Sequence, residues 1–196
     1  MTGDVDDFTG FPPVSVILAQ DADNGVGYKG KLPWEDSPYK NDMKMFRELT
    51  TGKLGCINAV VMGYATWKSI PNKFRPLKNR VNIVLTDNHY NEIVTERQTD
   101  FVFRSWDDLK EHLSDSVYDR LWVIGGVNVY EGAFQNLRIS NVYRTLFNKK
   151  YACDKFIDID GLLAKHSFDF TTKIIRDDDD GRVDLITITG QKADCQ

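Results

Sequence analysis

The chain has 196 residues, a net charge of −4, 41% hydrophobic residues and 12% aromatic residues. That composition supports one packed core and excludes a disordered chain. The scattered acids build no basic face, which argues against nucleic acid as a partner. No apolar run approaches the roughly 20 residues of a membrane helix, so no membrane association is expected.

The first ten residues, MTGDVDDFTG, are acidic and polar and carry neither signal-peptide nor transit-peptide character. Residues 1–12 read as a flexible N-terminal arm, 13–190 as the domain and 191–196 as a C-terminal tail. VSVILAQ (14–20) is an apolar run of strand length, as expected for a strand covered on both faces. DADNGVGYKGKLPW then reads as a long, mobile loop, with three glycines and a proline. A helix follows to about Leu49 and ends at TTGK.

AVVMG (59–63) is a predicted strand and YATWKSI a short helix. VNIVLT (81–86) and FVFR (101–104) read as strands. SWDDLKEHL (105–113) opens with an N-cap serine and two first-turn acids, a favourable helix start. RLWVI (120–124) is a strand, GG a break, NVYEGAF a helix and NVYRTLF another strand. Finally, FDFTTKIIRDDDDGRVDLITITG is two β-rich runs around Asp180-Gly181, a hairpin signal. Strands alternating with short helices predict an α/β fold with a mostly parallel sheet, closed by an antiparallel hairpin. The DDDD run lacks calcium-loop spacing and reads as a solvated turn.

Cys56, Cys153 and Cys195 are odd in number and widely spaced, so neither a disulfide framework nor a metal site is expected. Reduced thiols in a cytoplasmic compartment fit that pattern. His89, His112 and His166 share no ligand spacing.

On a helix over residues 40–49, Lys40, Lys44, Arg47 and Glu48 fall on one side. Met45, Phe46 and Leu49 fall on the other, with Met43 at the border. Asp42 lands on the apolar side, with Phe46 at i+4 and Leu49 at i+7. A carboxylate there is costly unless something pairs with it. Two readings follow from periodicity: a first-turn acid favoured by the helix dipole, or an acid pointing into a ligand pocket. Glu35 and Asp36 precede Pro38 and read as solvated loop acids.

GVGYKGKLPW, an acid on the next helix, VVMGYATWKSIP, RPLKNRVNIVLT, LWVIGGVNVYEGAF and a terminal β-hairpin occur in one order. Together, over roughly residues 14–190, they resemble dihydrofolate reductase. The resemblance implies an eight-stranded, mostly parallel, twisted sheet with an antiparallel C-terminal hairpin strand and about four flanking helices. It implies hydride transfer from NADPH to C6 of 7,8-dihydrofolate, with protonation at N5, in support of one-carbon and thymidylate metabolism. A monomeric antifolate target with a small-molecule substrate and no metal is expected.

By that resemblance Asp42 is the acid of the pterin pocket, Trp34 holds a water near it, and Thr145 is its hydroxyl partner. Ile17, Leu18 and Ala19 lie against the pterin. Leu32, Met43, Phe46, Ile70 and Leu77 grip the ring and the aminobenzoyl group, and Ile124 and Tyr130 border the same pocket. Arg80 binds the α-carboxylate of the glutamate tail, and Phe74 makes the tail site less polar than is usual.

For the cofactor, the resemblance places phosphate against Gly125 and Gly126, joined by a cis peptide, and against the helix start that includes Val127, Asn128, Val129 and Tyr130. Gly63, Tyr64, Ala65 and Thr66 form a second helix start, with Thr66 against the pyrophosphate. Ala19 borders the nicotinamide, and Gly25, Val26, Gly27, Tyr28, Lys29, Gly30 and Lys31 form a lid over it. At the adenosine end stand Leu85, Thr86, Asp87 and Arg104. Tyr64 replaces the usual basic residue and Asp87 a usual serine or arginine, so NADH is expected to compete as donor; an acid near the ribose favours it in dinucleotide folds. A pyrimidine reductase on the same fold, a non-enzymatic folate- or RNA-binding protein and a generic Rossmann dehydrogenase are the rival readings. The last predicts a helix directly after a G-x-G-x-x-G. Here Leu32-Pro33-Trp34 follows GVGYKG instead.

Overall fold

A computed structural model describes residues 10–34, 40–166, 168–178 and 181–191. The strands are β1 (Val14–Gln20), β2 (Gly25–Gly27), β3 (Asn58–Gly63), β4 (Val81–Leu85), β5 (Phe101–Phe103), β6 (Arg120–Val123), β7 (Ile139–Leu146), β8 (Lys155–Phe156), β9 (Phe168–Asp178) and β10 (Gly181–Gln191). The helices are α1 (Lys40–Thr51), α2 (Tyr64–Ser69), α3 (Tyr90–Glu96), α4 (Trp106–Ser114), α5 (Val127–Asn136) and α6 (Ile159–Lys165). Eight strands form one sheet in the order β5-β4-β3-β6-β1-β7-β10-β9. The pairs from β5 to β7 are parallel, and β10 runs antiparallel to both neighbours.

The apolar strands alternate between two covered faces, as a parallel sheet requires. Val14, Val16 and Leu18 of β1 join Leu109, Ala133, Phe134, Ile159 and Leu163 on the face carrying α4, α5 and α6. Ile17 joins Val60, Met62, Val84, Trp122, Trp67 and Ile93 on the other, where Phe46 and Leu49 of α1 also pack. The C-terminal edge of the parallel strands therefore gathers Ala19, Gly63, Leu85 and Thr145 at one end of the sheet, where α/β folds place their ligand crevice.

Two expectations are corrected. Among the described residues there are six α-helices, where about four were expected. Helix α3 was missed because YNEIVTE buries only Ile93 and carries β-branched Val94 and Thr95. Helix α6 was missed although Asp158 caps it by accepting from the Gly161 amide at 2.9 Å. The stretch after β1 is also not wholly loop: β2 pairs antiparallel with β8 as a separate two-stranded sheet. Three residues with two glycines carry no β signal, and the pairing is set by contacts from far along the chain.

Residues 1–9 of the expected arm, Glu35, Asp36, Pro38, Asp180 and Cys195 lie outside the described residues. Phe11 packs against the core. No helix among the described residues is long and apolar enough to cross a membrane.

Candidate active site

Helix α1 packs beside β3, and its first turn reaches Thr145 on β7. Its exposed positions include Asn41, Met43, Lys44, Arg47 and Glu48, while Met45, Phe46 and Leu49 are half-buried. Asp42 sits in the first turn, half-buried. Thr145, on β7 and 1% exposed, donates its hydroxyl to Asp42 Oδ1 at 2.6 Å. Residues 103 apart in sequence thus meet, and the two readings of Asp42 turn out to be compatible: the carboxylate opens the helix and also faces the edge of the sheet.

Five of the residues expected to wall the pocket share one apolar cluster. Ile17 is buried in the α1 layer, with Phe46, Ile70, Leu77 and Ile124 packed against the same cluster. The side chain of Leu18 belongs to the opposite layer, since neighbouring strand residues alternate faces. Only the backbone of Leu18 can border the cleft. Tyr130 is buried and donates its hydroxyl to the Ile17 carbonyl at 2.9 Å. Burial, reinforced by the Asp42 charge, pushes that phenol well above its ordinary range, so it stays protonated. Leu32, Met43 and Phe74 are 45%, 54% and 56% exposed, large apolar side chains left uncovered.

Trp34 is buried, packing at 4.6 Å on Phe147 and edge-on at 5.7 Å to Tyr151. Arg80 donates to Thr50 Oγ1 at 2.7 Å and to the Lys78 carbonyl at 3.1 Å. Its guanidinium lies over the Phe46 ring at 5.9 Å. These acceptors are neutral, so they orient the charge without cancelling it. Burial and the nearby Arg47 both pull the Arg80 pKa down, which marks a partly desolvated cation facing another.

The glycine corner joins β3 to β6. The Gly125–Gly126 peptide is cis, and Gly125 has φ +106°. The Gly63 amide donates to the Gly125 carbonyl at 2.8 Å. Gly126 is the N-cap of α5 and makes no side-chain cap; its carbonyl accepts from the Val129 and Tyr130 amides at 2.9 Å, and the Val127 and Asn128 amides precede the first bond of the helix. A Cβ at Gly126 would lie 3.4 Å from Thr66 Oγ1, and one at Gly63 would lie 3.1 Å from Val129. Side chains here would fill the space a phosphate needs to approach backbone amides.

At the far end the charges are already engaged. Arg104 donates to Asp87 at 3.0 Å and lies over the Tyr90 ring at 4.0 Å. Tyr64 stacks on His89 at 3.6 Å and donates to Glu92 at 3.1 Å. The Thr86 hydroxyl accepts from the His89 amide at 3.3 Å.

Residues 13–187 match the family model for dihydrofolate reductase. The chain is 35% identical over 144 residues to a dihydrofolate reductase of Heliothis virescens, covering 71% of this chain and 76% of that one. It is 36% identical over 152 residues to that of Sus scrofa, covering 74% and 78%. A bifunctional dihydrofolate reductase-thymidylate synthase of Glycine max is 34% identical over 148 residues, covering 72% of this chain and 27% of its own length. The chain belongs to the dihydrofolate reductase family.

Within this family member, several supports of the site escaped the sequence reading. Asn82 accepts from the Leu77 amide at 2.9 Å and donates to the Leu77 and Arg80 carbonyls at 3.0 and 2.8 Å, holding the turn that presents Arg80. A buried Asn inside VNIVL was a readable signal. Asp154 accepts from the Lys29 amide at 2.9 Å, tying the glycine-rich loop to the stretch after β7. Asp21, in what read as a long, mobile loop, is 1% exposed.

Proposed function

We propose that the chain reduces 7,8-dihydrofolate to 5,6,7,8-tetrahydrofolate, with NADPH as donor, and so supplies one-carbon and thymidylate metabolism. The observation that carries this reading is the Thr145–Asp42 contact at 2.6 Å, set at the sheet edge. An ionised carboxylate only accepts hydrogen bonds and has about four lone-pair positions. With Thr145 fixing one oxygen, Asp42 accepts a parallel pair from the pterin ring N–H and its 2-amino group, a directional and charge-assisted contact. That pair orients the ring and favours the form that takes hydride at C6. Water brings the proton to N5, and Trp34 bounds the place where it stands. Ile17, Phe46, Ile70 and Leu77 exclude other water. Leu32, Met43 and Phe74 cover the aminobenzoyl group, and Arg80 takes the α-carboxylate of the tail.

The residues present fit a dinucleotide. Gly125, Gly126 and the first amides of α5 offer backbone N–H groups to the pyrophosphate, with Gly63 and Thr66 beside them, while Ala19 and the loop 25–31 border the nicotinamide. A bound reduced nicotinamide supplies the hydride. Arg104 is the cation in reach of a 2′-phosphate, but Asp87 shares its charge. NADH is therefore a donor close to NADPH in affinity. The protein works as a monomer in a reducing cytoplasm, consistent with free Cys56 and Cys153.

The test mixes purified protein, dihydrofolate and NADPH and follows loss of reduced-nicotinamide absorbance, then repeats with NADH. Turnover with both donors is expected. Oxidation coupled to a pyrimidine substrate but not to dihydrofolate would transfer the chain to the rival reductase reading.

A further inference from the structure

We infer that Asp21 is a positioning residue: its buried carboxylate clasps the glycine-rich segment 25–34 to the stretch after β7 and so sets that segment over the cleft. This deepens the proposed reductase function and rests on it.

Asp21 follows directly on β1, and burying its charge is costly without compensating bonds. Every compensating donor shown is an amide or a thiol. Oδ1 accepts from the Asp23 and Gly25 amides at 2.9 and 2.8 Å, closing its own turn. Oδ2 accepts from the Tyr151 amide at 2.8 Å and lies 3.7 Å from Cys153 Sγ, reaching 130 residues along the chain. Lys150, in the same stretch, pairs with Asp23 instead, at 2.8 Å. Burial pushes the Asp21 carboxyl up, but these hydrogen bonds outweigh it and leave the group below its ordinary range. Burial pushes the Cys153 thiol up to about 11, so it remains a donor.

The two oxygens therefore divide the work. One shapes the turn, and the other fastens that turn to a different part of the molecule. There is no slack between the two: a Cβ on Gly25 would lie 2.3 Å from Cys153 Sγ and 3.0 Å from Asp21 Oδ1. The fastening leads to the reacting end by short steps. Tyr151 packs edge-on to Trp34, Trp34 packs on Phe147, and the Phe147 amide donates to the Gln20 carbonyl at 2.9 Å. Phe147 is two residues from Thr145. At the tip of the loop, Tyr28 through Leu32 are exposed, and the Lys29–Asp154 bond there competes with water. The Asp21 bonds are better sheltered from water than that one, and they add a side-chain fastening to the backbone ties of the same two segments, the β2–β8 pairing and the Ala22 amide on the Lys149 carbonyl at 3.2 Å. A misplacement of about 1 Å at a remote support can slow a reaction roughly a hundredfold.

Two variants break the clasp in different ways. Asp21→Asn keeps the size but turns an N–H₂ group toward N–H donors. Asp21→Ser keeps a short acceptor for the Gly25 turn but cannot span to Tyr151. Both are expected to slow single-turnover hydride transfer about tenfold or more, while the KM for dihydrofolate moves less than about threefold. In both, amide hydrogen exchange should speed up together in peptides covering 21–31 and 149–156. A structural role alone predicts a lower melting temperature with an unchanged hydride step per folded molecule, and that result would overturn the inference. Were neither variant to fold, exchange in the wild-type chain decides: the Gly25 and Tyr151 amides must be among the slowest of their two segments, and fast exchange at either refutes the clasp. A wild-type chain inactive on dihydrofolate would sink the reductase reading alone, because the exchange coupling does not depend on turnover.

Discussion

The two ends of the cleft treat charge in opposite ways. At the β1–β7 end, Asp42 meets a hydroxyl that is itself buried, Asp21 is buried with backbone amides on both oxygens, and Arg144, next to Thr145 on β7, pairs with the buried Asp184 at 3.0 Å and with Asp160 at 2.8 Å. At the β4–β5 end, Arg104 and Asp87 pair in the open, with side chains 48% and 70% exposed. A charge out of water is held by a fixed set of donors and punishes any change. A charge in water exchanges partners cheaply. The β1–β7 end is thus built for one geometry, whereas the β4–β5 end, proposed above to hold the adenosine, can change its contacts without damage to the fold.

The sharpest way to break this contrast is at Asp184, which is 1% exposed. Asp184→Ala removes the buried partner of Arg144 and leaves it only the exposed Asp160, at 2.8 Å, and should cost about 1.5–3 kcal/mol of stability, read by urea denaturation. A loss below about 1 kcal/mol would mean that the β7 end does not depend on buried charge. Next comes Arg80→Leu. Losing a charge-assisted bond to the substrate tail, worth about 1.5–3 kcal/mol, should raise the KM for dihydrofolate roughly ten- to a hundredfold and leave kcat within about threefold. An unchanged KM would detach Arg80 from the substrate. The smallest effect belongs to the open end. Asp87→Ser frees Arg104 and should tilt preference toward NADPH by only about two- to fivefold, since an exposed pair contributes about 1 kcal/mol or less. Raising the salt should shrink that tilt. A hundredfold change would show that this end is as constrained as the other.

Much of the scaffold was legible because it obeys simple patterns. The apolar runs of β1, β3, β4 and β6 announced strands covered on both faces, and Asp180-Gly181 announced the hairpin between β9 and β10. What escaped lacked a local signal. Helix α3 is held by Ile93 rather than by propensity, and β2 exists only because β8 passes beside it. The site divides in the same way. Periodicity put Asp42 on the apolar side of its helix, and the family resemblance brought in Thr145, which no spacing could have matched to an acid 103 residues away. Asp21 was hidden for a related reason: DADNG has the composition of a solvated turn, and its burial is imposed by Tyr151 and Cys153. Asn82 was the missed opportunity, since a polar side chain inside VNIVL already asks for partners.

The most direct test is single-turnover hydride transfer in Asp42→Asn, preloaded with NADPH and mixed with dihydrofolate. The variant should fold and melt near the wild type. Replacing the charge with a neutral amide weakens two bonds to the pterin, so the rate should fall about a hundred- to a thousandfold. A rate within about twofold of wild type, in a folded protein, would contradict the role assigned to Asp42.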